Sequence, residues 1–122
     1  MSKKILIVED DSFLQGLAST KLEKEGFTVL AASSGDEAIK LLSTNTPDFI
    51  LLDLVLPGAD GFTVLKSLRE NAATSKTPVI VFSNLSEDKD IKQAKDLGAT
   101  DYMVKSNFTL DELSDKIKEI LK

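Results

Sequence analysis

Three carboxylates stand directly after short apolar runs of the sequence. Glu9 and Asp10 follow the run Lys4–Val8, and Asp53 follows the run Phe49–Leu52. Two carboxylates about 4 Å apart repel each other by roughly 4 kcal/mol at an effective dielectric near 20, so such a cluster binds either protons or a cation. An all-oxygen set of ligands suits Mg²⁺, especially where a phosphoryl group completes its shell.

A hydroxyl and an ammonium group stand in equivalent places after two later apolar runs. Ser83 follows Val79–Phe82, and Lys105 follows Thr100–Val104. With a carboxylate as nucleophile, these groups could stabilise a phosphoryl group during its transfer. Each residue alone has an ordinary structural explanation, because acids cap helices or form turns and most lysines are solvated. The interpretation therefore depends on the fold bringing them together.

The composition of the 122 residues excludes several kinds of chemistry. The chain has no histidine and no cysteine, which rules out Ser-His-Asp hydrolysis, histidine-ligated metals, disulfides and thiolate chemistry within it. The net charge of −5 argues against direct binding of nucleic acid. Because no N-terminal run is long enough for a signal peptide, we expect a cytoplasmic protein with no membrane contact.

Five short apolar runs alternate with five amphipathic segments. The predicted strands are Lys4–Val8, Phe27–Ala31, Phe49–Leu52, Val79–Phe82 and Thr100–Val104. The predicted helix caps are Ser12, Ser34, Asp60, Ser86 and Thr109, and Glu37 and Glu112 complete capping boxes. The first helix extends to about Lys24, and its buried stripe is predicted to hold Phe13, Leu14, Leu17, Ala18 and Leu22.

Five consecutive strand–helix units predict a parallel sheet with helices on both faces. Right-handed crossovers restrict this architecture to the doubly wound, three-layer α/β folds, and the length suits one domain over residues 1–122. In such folds the site lies beyond the carboxyl ends of the strands, where the strand order reverses. If the order is 2-1-3-4-5, the first and third strands are neighbours and their acids converge.

Four motifs in order carry a resemblance to a known family. They are "ILIVEDD" (Ile5–Asp11), "LLDLVLPGADG" (Leu51–Gly61), "VIVFSN" (Val79–Asn84) and "GATDYMVK" (Gly98–Lys105). Along essentially its whole length the chain resembles the CheY-like receiver domain of two-component response regulators. The resemblance implies a flavodoxin-like (βα)5 fold with the strand order 2-1-3-4-5.

The resemblance also implies roles for the acidic residues. Asp53 matches the phosphoacceptor, and Glu9 and Asp10 match the acidic pair that binds Mg²⁺, Asp10 directly and Glu9 through water. Val55 matches the position whose backbone carbonyl completes the metal shell. Asp11 matches no ligand and is assigned to helix capping.

Ser83 matches the hydroxyl that contacts the phosphoryl group, Lys105 matches the lysine that pairs with it, and Tyr102 matches the aromatic switch residue. The implied donor is a phosphohistidine on a partner histidine kinase or phosphotransfer protein. The implied output is a changed affinity for a downstream protein through the fourth helix, fifth strand and fifth helix, with no effector domain following Lys122. Such a receiver is a monomer or dimerises on phosphorylation, and it is not a turnover enzyme.

Two positions depart from the family pattern. Ser106 replaces the proline that commonly follows the lysine, and a cis bond without proline costs roughly 2.5–4 kcal/mol, which favours a trans Lys105–Ser106 bond. Asn84 is bulkier than the small residue often found after the hydroxyl position.

The main alternative function is a receiver-like docking module that needs no phosphorylation. An acid-nucleophile phosphatase ranks lower, since no second acid stands two residues after Asp53, and a flavin-binding protein ranks lowest. A stand-alone regulator and a receiver from a longer chain both fit the sequence.

Overall fold

A computed structural model describes residues 3–122. Its strands are β1 (Lys4–Val8), β2 (Thr28–Ala32), β3 (Phe49–Leu52), β4 (Val79–Ser83) and β5 (Asp101–Val104). Its helices are α1 (Ser12–Lys24), α2 (Gly35–Leu42), α3 (Gly61–Glu70), α4 (Asp88–Asp96) and α5 (Leu110–Ile120). The strands form one parallel sheet in the order β2-β1-β3-β4-β5. The predicted doubly wound α/β fold is confirmed.

The sheet is covered by helices on both faces. Alternate residues of the central strands, such as Ile5 and Ile7 of β1, pack with α1 and α5, while Leu6 and Val8 pack with α2, α3 and α4. This arrangement explains why β1, β3 and β4 are apolar along nearly their whole length, as strands buried on both faces must be. The central strands are therefore rigid supports for the polar residues that follow them.

Most of the predicted helix starts are observed, with three corrections. Asp11 rather than Ser12 caps α1, which confirms the assignment of Asp11 to capping, because its carboxylate accepts hydrogen bonds from the first backbone N–H groups of that helix. Ser34 caps α2, but the carboxylate of Glu37 accepts from Ser33 N–H, one residue before the position a capping box requires. Ser86 does not cap α4, which begins at Asp88 without a side-chain cap.

The predicted buried stripe of α1 is only partly correct. Ala18 and Leu22 are buried against the sheet, and Leu14 packs at the margin of the same core. Phe13 and Leu17, however, are 75% and 45% exposed. The five apolar positions span a wider arc than the contact with the sheet, so two of them face solvent.

The strand boundaries move by about one residue from the predicted ones. The second strand begins one residue later, the fourth includes Ser83, and the fifth begins at Asp101. Lys105–Asn107 forms one turn of 3-10 helix that the sequence did not predict. Among residues 3–122 no peptide bond is cis, so the Lys105–Ser106 bond is trans as expected. Over the same residues, no helix has the length and apolar character needed to cross a membrane.

Candidate functional site

The carboxyl ends of β1 and β3 bring three acids together. Val8 and Leu52 are partners in the parallel register of these strands, so Glu9, Asp10 and Asp53 emerge side by side. Carboxylate oxygens of the three acids all lie within 4.8 Å of one another. Glu9 and Asp53 are only 4% and 5% exposed, whereas Asp10 is open to solvent.

Lys105 reaches this cluster from the far side of the sheet. It follows β5, and its Nζ lies 2.6 Å from Glu9 Oε1 and 2.7 Å from Asp53 Oδ2. The ammonium group therefore offsets the repulsion between two buried carboxylates, neither of which could remain charged and unpaired without a large cost. The sequence predicted that Lys105 would face Asp53 but not that it would also bind Glu9.

The pKa values of these groups reflect burial and mutual attraction. Burial, with the negative charge of Asp53, raises the pKa of Glu9 above 4.5, although the hydrogen bonds from Lys105 and from the Asp11 N–H oppose this rise. Burial alone would lower the pKa of Lys105, but the hydrogen bonds to Asp53 and Glu9 outweigh it and raise that pKa above 10.5. The ammonium group therefore remains charged over the whole physiological range.

Both carboxylate oxygens of Asp53 are held in place. Oδ1 accepts a hydrogen bond from the Val55 N–H at 3.2 Å, and Oδ2 accepts from Lys105. The backbone N–H of Asp53 donates to the carbonyl of Val8 at 3.0 Å, which continues the β1–β3 ladder past the end of the strands. A Cβ at Gly61 would lie 2.4 Å from the Asp53 carbonyl oxygen, so the start of α3 can approach Asp53 only with a glycine there.

Ser83 lies behind the cluster rather than on its open side. Its side chain is fully buried at the end of β4, and its Oγ accepts a hydrogen bond from the Leu85 N–H at 3.3 Å. Asn84 takes the place on the open side. Ser83 is buried because it belongs to β4, a central strand that is covered by helices on both faces. A contact between Ser83 and a phosphoryl group remains a prediction.

Tyr102 contacts the same loop from β5. Its hydroxyl donates a hydrogen bond of 2.6 Å to the Leu85 carbonyl, so the backbone of Leu85 is bonded to both Ser83 and Tyr102. Burial raises the pKa of the Tyr102 phenol, and the negative charges of Asp90 and Asp53 raise it further. The two predicted switch residues therefore meet at the backbone of one residue, Leu85.

The acids, Lys105 and Asn84 surround an open cavity of about 270 Å³. Its lining residues are Glu9, Asp10, Asp11, Asp53, Val55, Asn84 and Lys105. The acidic ligands are oxygen-only, close together and open on one side, which fits a hard cation that keeps part of its water shell. A carboxylate nucleophile, a cation site and a fixed ammonium group are the parts that phosphoryl transfer requires.

Comparison with known proteins places this site in a family. The family model described as the response regulator receiver domain matches residues 5–118. The chain belongs to the response regulator receiver family. As a receiver domain it is a signalling protein rather than an enzyme that turns over a substrate. Its structure is similar to that of a CheY-like receiver domain protein from Methanospirillum hungatei, with a TM-score of 0.92, 26% identity, and coverage of 99% of this chain and 94% of the other.

Curated relatives of this receiver are transcriptional regulators. The chain is 38% identical to the alkaline phosphatase synthesis transcriptional regulatory protein PhoP of Bacillus subtilis, over 100% of this chain and 50% of the relative. It is 37% identical to the DNA-binding dual master transcriptional regulator RpaA of Synechocystis, over 98% of this chain and 49% of the relative. The receiver thus spans about half the length of these relatives.

These relatives correct the expected partners. The prediction that nucleic acid is not a partner was wrong, because a relative of this receiver is named as a DNA-binding regulator. The net charge of −5, which pointed away from nucleic acid, is that of 122 residues. That charge describes the receiver part alone and carries no information about the half of the relatives that it does not cover.

Proposed function

We propose that Asp53 accepts a phosphoryl group from a phosphohistidine of a partner histidine kinase or phosphotransfer protein. The observation that carries this proposal is the position of Asp53, which is buried, held through both oxygens, and paired with Lys105 at the mouth of an acidic cavity. The P–N bond of the donor breaks, an O–P bond to the carboxylate forms, and the imidazole nitrogen keeps the electron pair. The donor histidine lies outside these 122 residues, since they contain none.

Glu9, Asp10, the acceptor Asp53 itself and the backbone carbonyl of Val55 would hold Mg²⁺, which fits the close grouping of the three carboxylates. The cation, when bound, neutralises charge on the transferred phosphoryl oxygens. Lys105 adds a fixed positive charge from the opposite side. Its Nζ would exchange its bond to Glu9 for one to the phosphoryl group, which leaves Glu9 free to face the metal.

The switch would operate through the loop between β4 and α4. A phosphoryl group on Asp53 would attract the Ser83 hydroxyl and so break its bond to the Leu85 N–H. Tyr102, which now donates to the Leu85 carbonyl, would lose its fixed partner and move inward. The surface formed by α4, β5 and α5 would then change its affinity for a downstream partner.

We also propose that residues 1–122 form one receiver domain, which is supported by the single sheet and the two cores on its faces. The names of the relatives support control of transcription as the output where such a receiver is part of a longer protein. The cytoplasmic location and the choice between a monomer and a phosphorylation-dependent dimer remain predictions.

The proposal is tested by phosphorylation with a small donor. We expect that incubation with Mg²⁺ and acetyl phosphate adds one phosphoryl group to the wild type, seen by intact mass, and none to Asp53→Asn. A chelator should abolish the adduct. No adduct together with no NMR response to beryllofluoride would favour the phosphorylation-independent docking module. Sustained release of phosphate from phosphomonoesters would favour a phosphatase instead.

A further inference from the structure

The side-chain amide of Gln15 connects two loops at the edge of the site. Gln15 lies in the second turn of α1, and its Nε2 is 2.9 Å from the Glu9 carbonyl, 3.1 Å from the Ala32 carbonyl and 3.2 Å from Ser33 Oγ. An amide nitrogen has two hydrogens, so it can satisfy two of these acceptors fully and share a bond with the third. The group is half-buried, where such bonds are only partly exposed to competition from water.

The bond to Glu9 acts on the backbone that carries the acidic pair. The regular pairing of β1 with β2 ends at Val8 and Ala32, and one further bond joins the Glu9 N–H to the Ala32 carbonyl at 2.9 Å. The Gln15 amide donates a hydrogen bond to the Glu9 carbonyl, which belongs to the next peptide unit. The peptide units on both sides of Glu9 are therefore fixed relative to the sheet.

The bond to Ser33 continues this connection toward the acceptor. The Ser33 N–H donates to the Glu37 carboxylate at 2.6 Å, which ties the loop to α2. The first residue of α2, Gly35, packs so tightly on the loop after β3 that a Cβ there would lie 1.7 Å from the Ala59 carbonyl oxygen. Gln15 thus joins the loop of the acidic pair to the loop that follows Asp53.

We propose that Gln15 is a positioning residue for the cation site, an inference that rests on the proposed function. Glu9, Asp10 and Asp53 repel one another, and without an anchor the loop after β1 would relax away from β3. The bonds of Gln15 oppose that relaxation and keep the acids close enough to share one cation. Residues that hold metal ligands in this way change metal affinity by about 10- to 100-fold when they are replaced.

The test uses three variants of the whole chain. Gln15→Met has a similar length but no donor, Gln15→Arg keeps N–H donors, and Gln93→Met makes the same change on the exposed surface of α4. Isothermal titration with Mg²⁺ measures the affinity, and amide hydrogen exchange at Asp10 and Asp11 measures the order of the loop in the metal-free protein. Acetyl phosphate then gives the rate of adduct formation as a function of Mg²⁺ concentration.

We expect Gln15→Met to weaken Mg²⁺ binding about 10-fold and to speed exchange at Asp10 and Asp11, with Gln93→Met unchanged in both. Exchange in Gln15→Arg should stay close to that of the wild type because N–H donors remain, although its added positive charge by itself weakens Mg²⁺ binding. At saturating Mg²⁺ the rate for Gln15→Met should return to within about twofold of the wild type, because only the metal site is loosened. If Gln15→Met does not fold, hydrogen exchange is measured on Gln15→Glu instead, because that side chain also lacks the amide donors.

Unchanged Mg²⁺ affinity or unchanged exchange in the donor-free variant would overturn the role of Gln15. So would equally fast exchange at Asp10 and Asp11 in Gln15→Arg, since that result would point to packing rather than to hydrogen bonding. If the wild type binds Mg²⁺ and forms the adduct, and Gln15→Met binds Mg²⁺ equally well, the role of Gln15 is refuted but the proposed function is not. A wild type that does neither would refute the proposed function as well.

Discussion

Lys105 Nζ lies 2.7 Å from Asp53 Oδ2, although the two residues belong to opposite halves of the chain and follow strands, β5 and β3, that are separated by β4. The same nitrogen also contacts Glu9. One ammonium group therefore binds two of the three carboxylates that would face a cation. The cation and the ammonium group must compete for these oxygens, although both are needed once a phosphoryl group is present.

Replacement of Lys105 should separate these two roles. Lys105→Met removes a positive charge from the cluster and frees both carboxylates, so we expect Mg²⁺ to bind about 10-fold more tightly. Adduct formation from acetyl phosphate should nevertheless slow about 100-fold, because the phosphoryl oxygens lose a fixed cation. Isothermal titration and intact mass measure the two effects, with the exposed Lys95→Met as control. Weaker Mg²⁺ binding in Lys105→Met would contradict this account of the cluster.

Tyr102 should titrate above the ordinary value of 10.0, because burial raises its pKa and nearby acids add to the shift. The chain has one tyrosine and no tryptophan, so the ultraviolet absorbance of phenolate reports this residue alone. The fold favours the neutral phenol, so its contribution to stability is complete below pH 10.0 and is lost as the pH rises through the higher pKa of the folded protein. Tyr102→Phe should lack this alkaline loss. A midpoint in the folded protein at or below that in denaturant would refute the prediction.

Arg69 should be a major stabilising residue outside the site. Its guanidinium group donates to the carbonyls of Gly98, Thr74 and Ser75 at 2.8 to 3.2 Å, which links α3 to two loops. We expect Arg69→Met to lower the free energy of unfolding by about 2 kcal/mol, because the partly buried carbonyls lose their donors. Arg69→Lys should recover less than half of this loss, since an ammonium group cannot form the same fork. Urea denaturation measures each change. A similar loss in Lys66→Met, an exposed change on the same helix, would show that the hydrogen bonds of Arg69 are not the cause.

The apolar face of α1 gives a direct contrast between exposed and buried positions. Phe13→Ala should change the free energy of unfolding by less than about 0.5 kcal/mol, because its ring is mostly in solvent. Leu22→Ala should cost about 2 to 5 kcal/mol, since this side chain is fully buried. Chemical denaturation of both variants tests the corrected stripe. Equal losses of unfolding free energy in the two variants would support the buried stripe that the sequence predicted for α1.

Local sequence rules predicted the fold well because β1, β3 and β4 are apolar on both faces and four of the five helices have an amphipathic pattern. The order of the strands came from the resemblance, and the register of β1 with β3 then explains why Glu9 and Asp53 meet. Helix starts were predicted correctly where the capping side chain bonds to the backbone at the start of its own helix, as in the capping box of Thr109 and Glu112 in α5. The start of α4 was missed because that helix has no side-chain cap.

The remaining differences depend on contacts between distant parts of the chain. The exposure of Phe13 is set by how α1 lies on the sheet, and periodicity alone does not fix that angle. The second bond of Lys105, to Glu9, depends on side-chain reach across β4. Gln15 carried no signal in the sequence, because an amide side chain on a helix is usually solvated and its acceptors here are the backbone carbonyls of Glu9, in the loop after β1, and of Ala32, in β2.

The central claim is that Asp53 itself carries the phosphoryl group, and borohydride trapping tests it most directly. Reduction of an aspartyl phosphate gives homoserine, which mass spectrometry of peptides locates in the sequence. After treatment with Mg²⁺ and acetyl phosphate, we predict homoserine at position 53 of the wild type and none in Asp53→Asn. Homoserine at Asp10 or another aspartate, or a phosphorylated protein with no homoserine at position 53, would contradict the account.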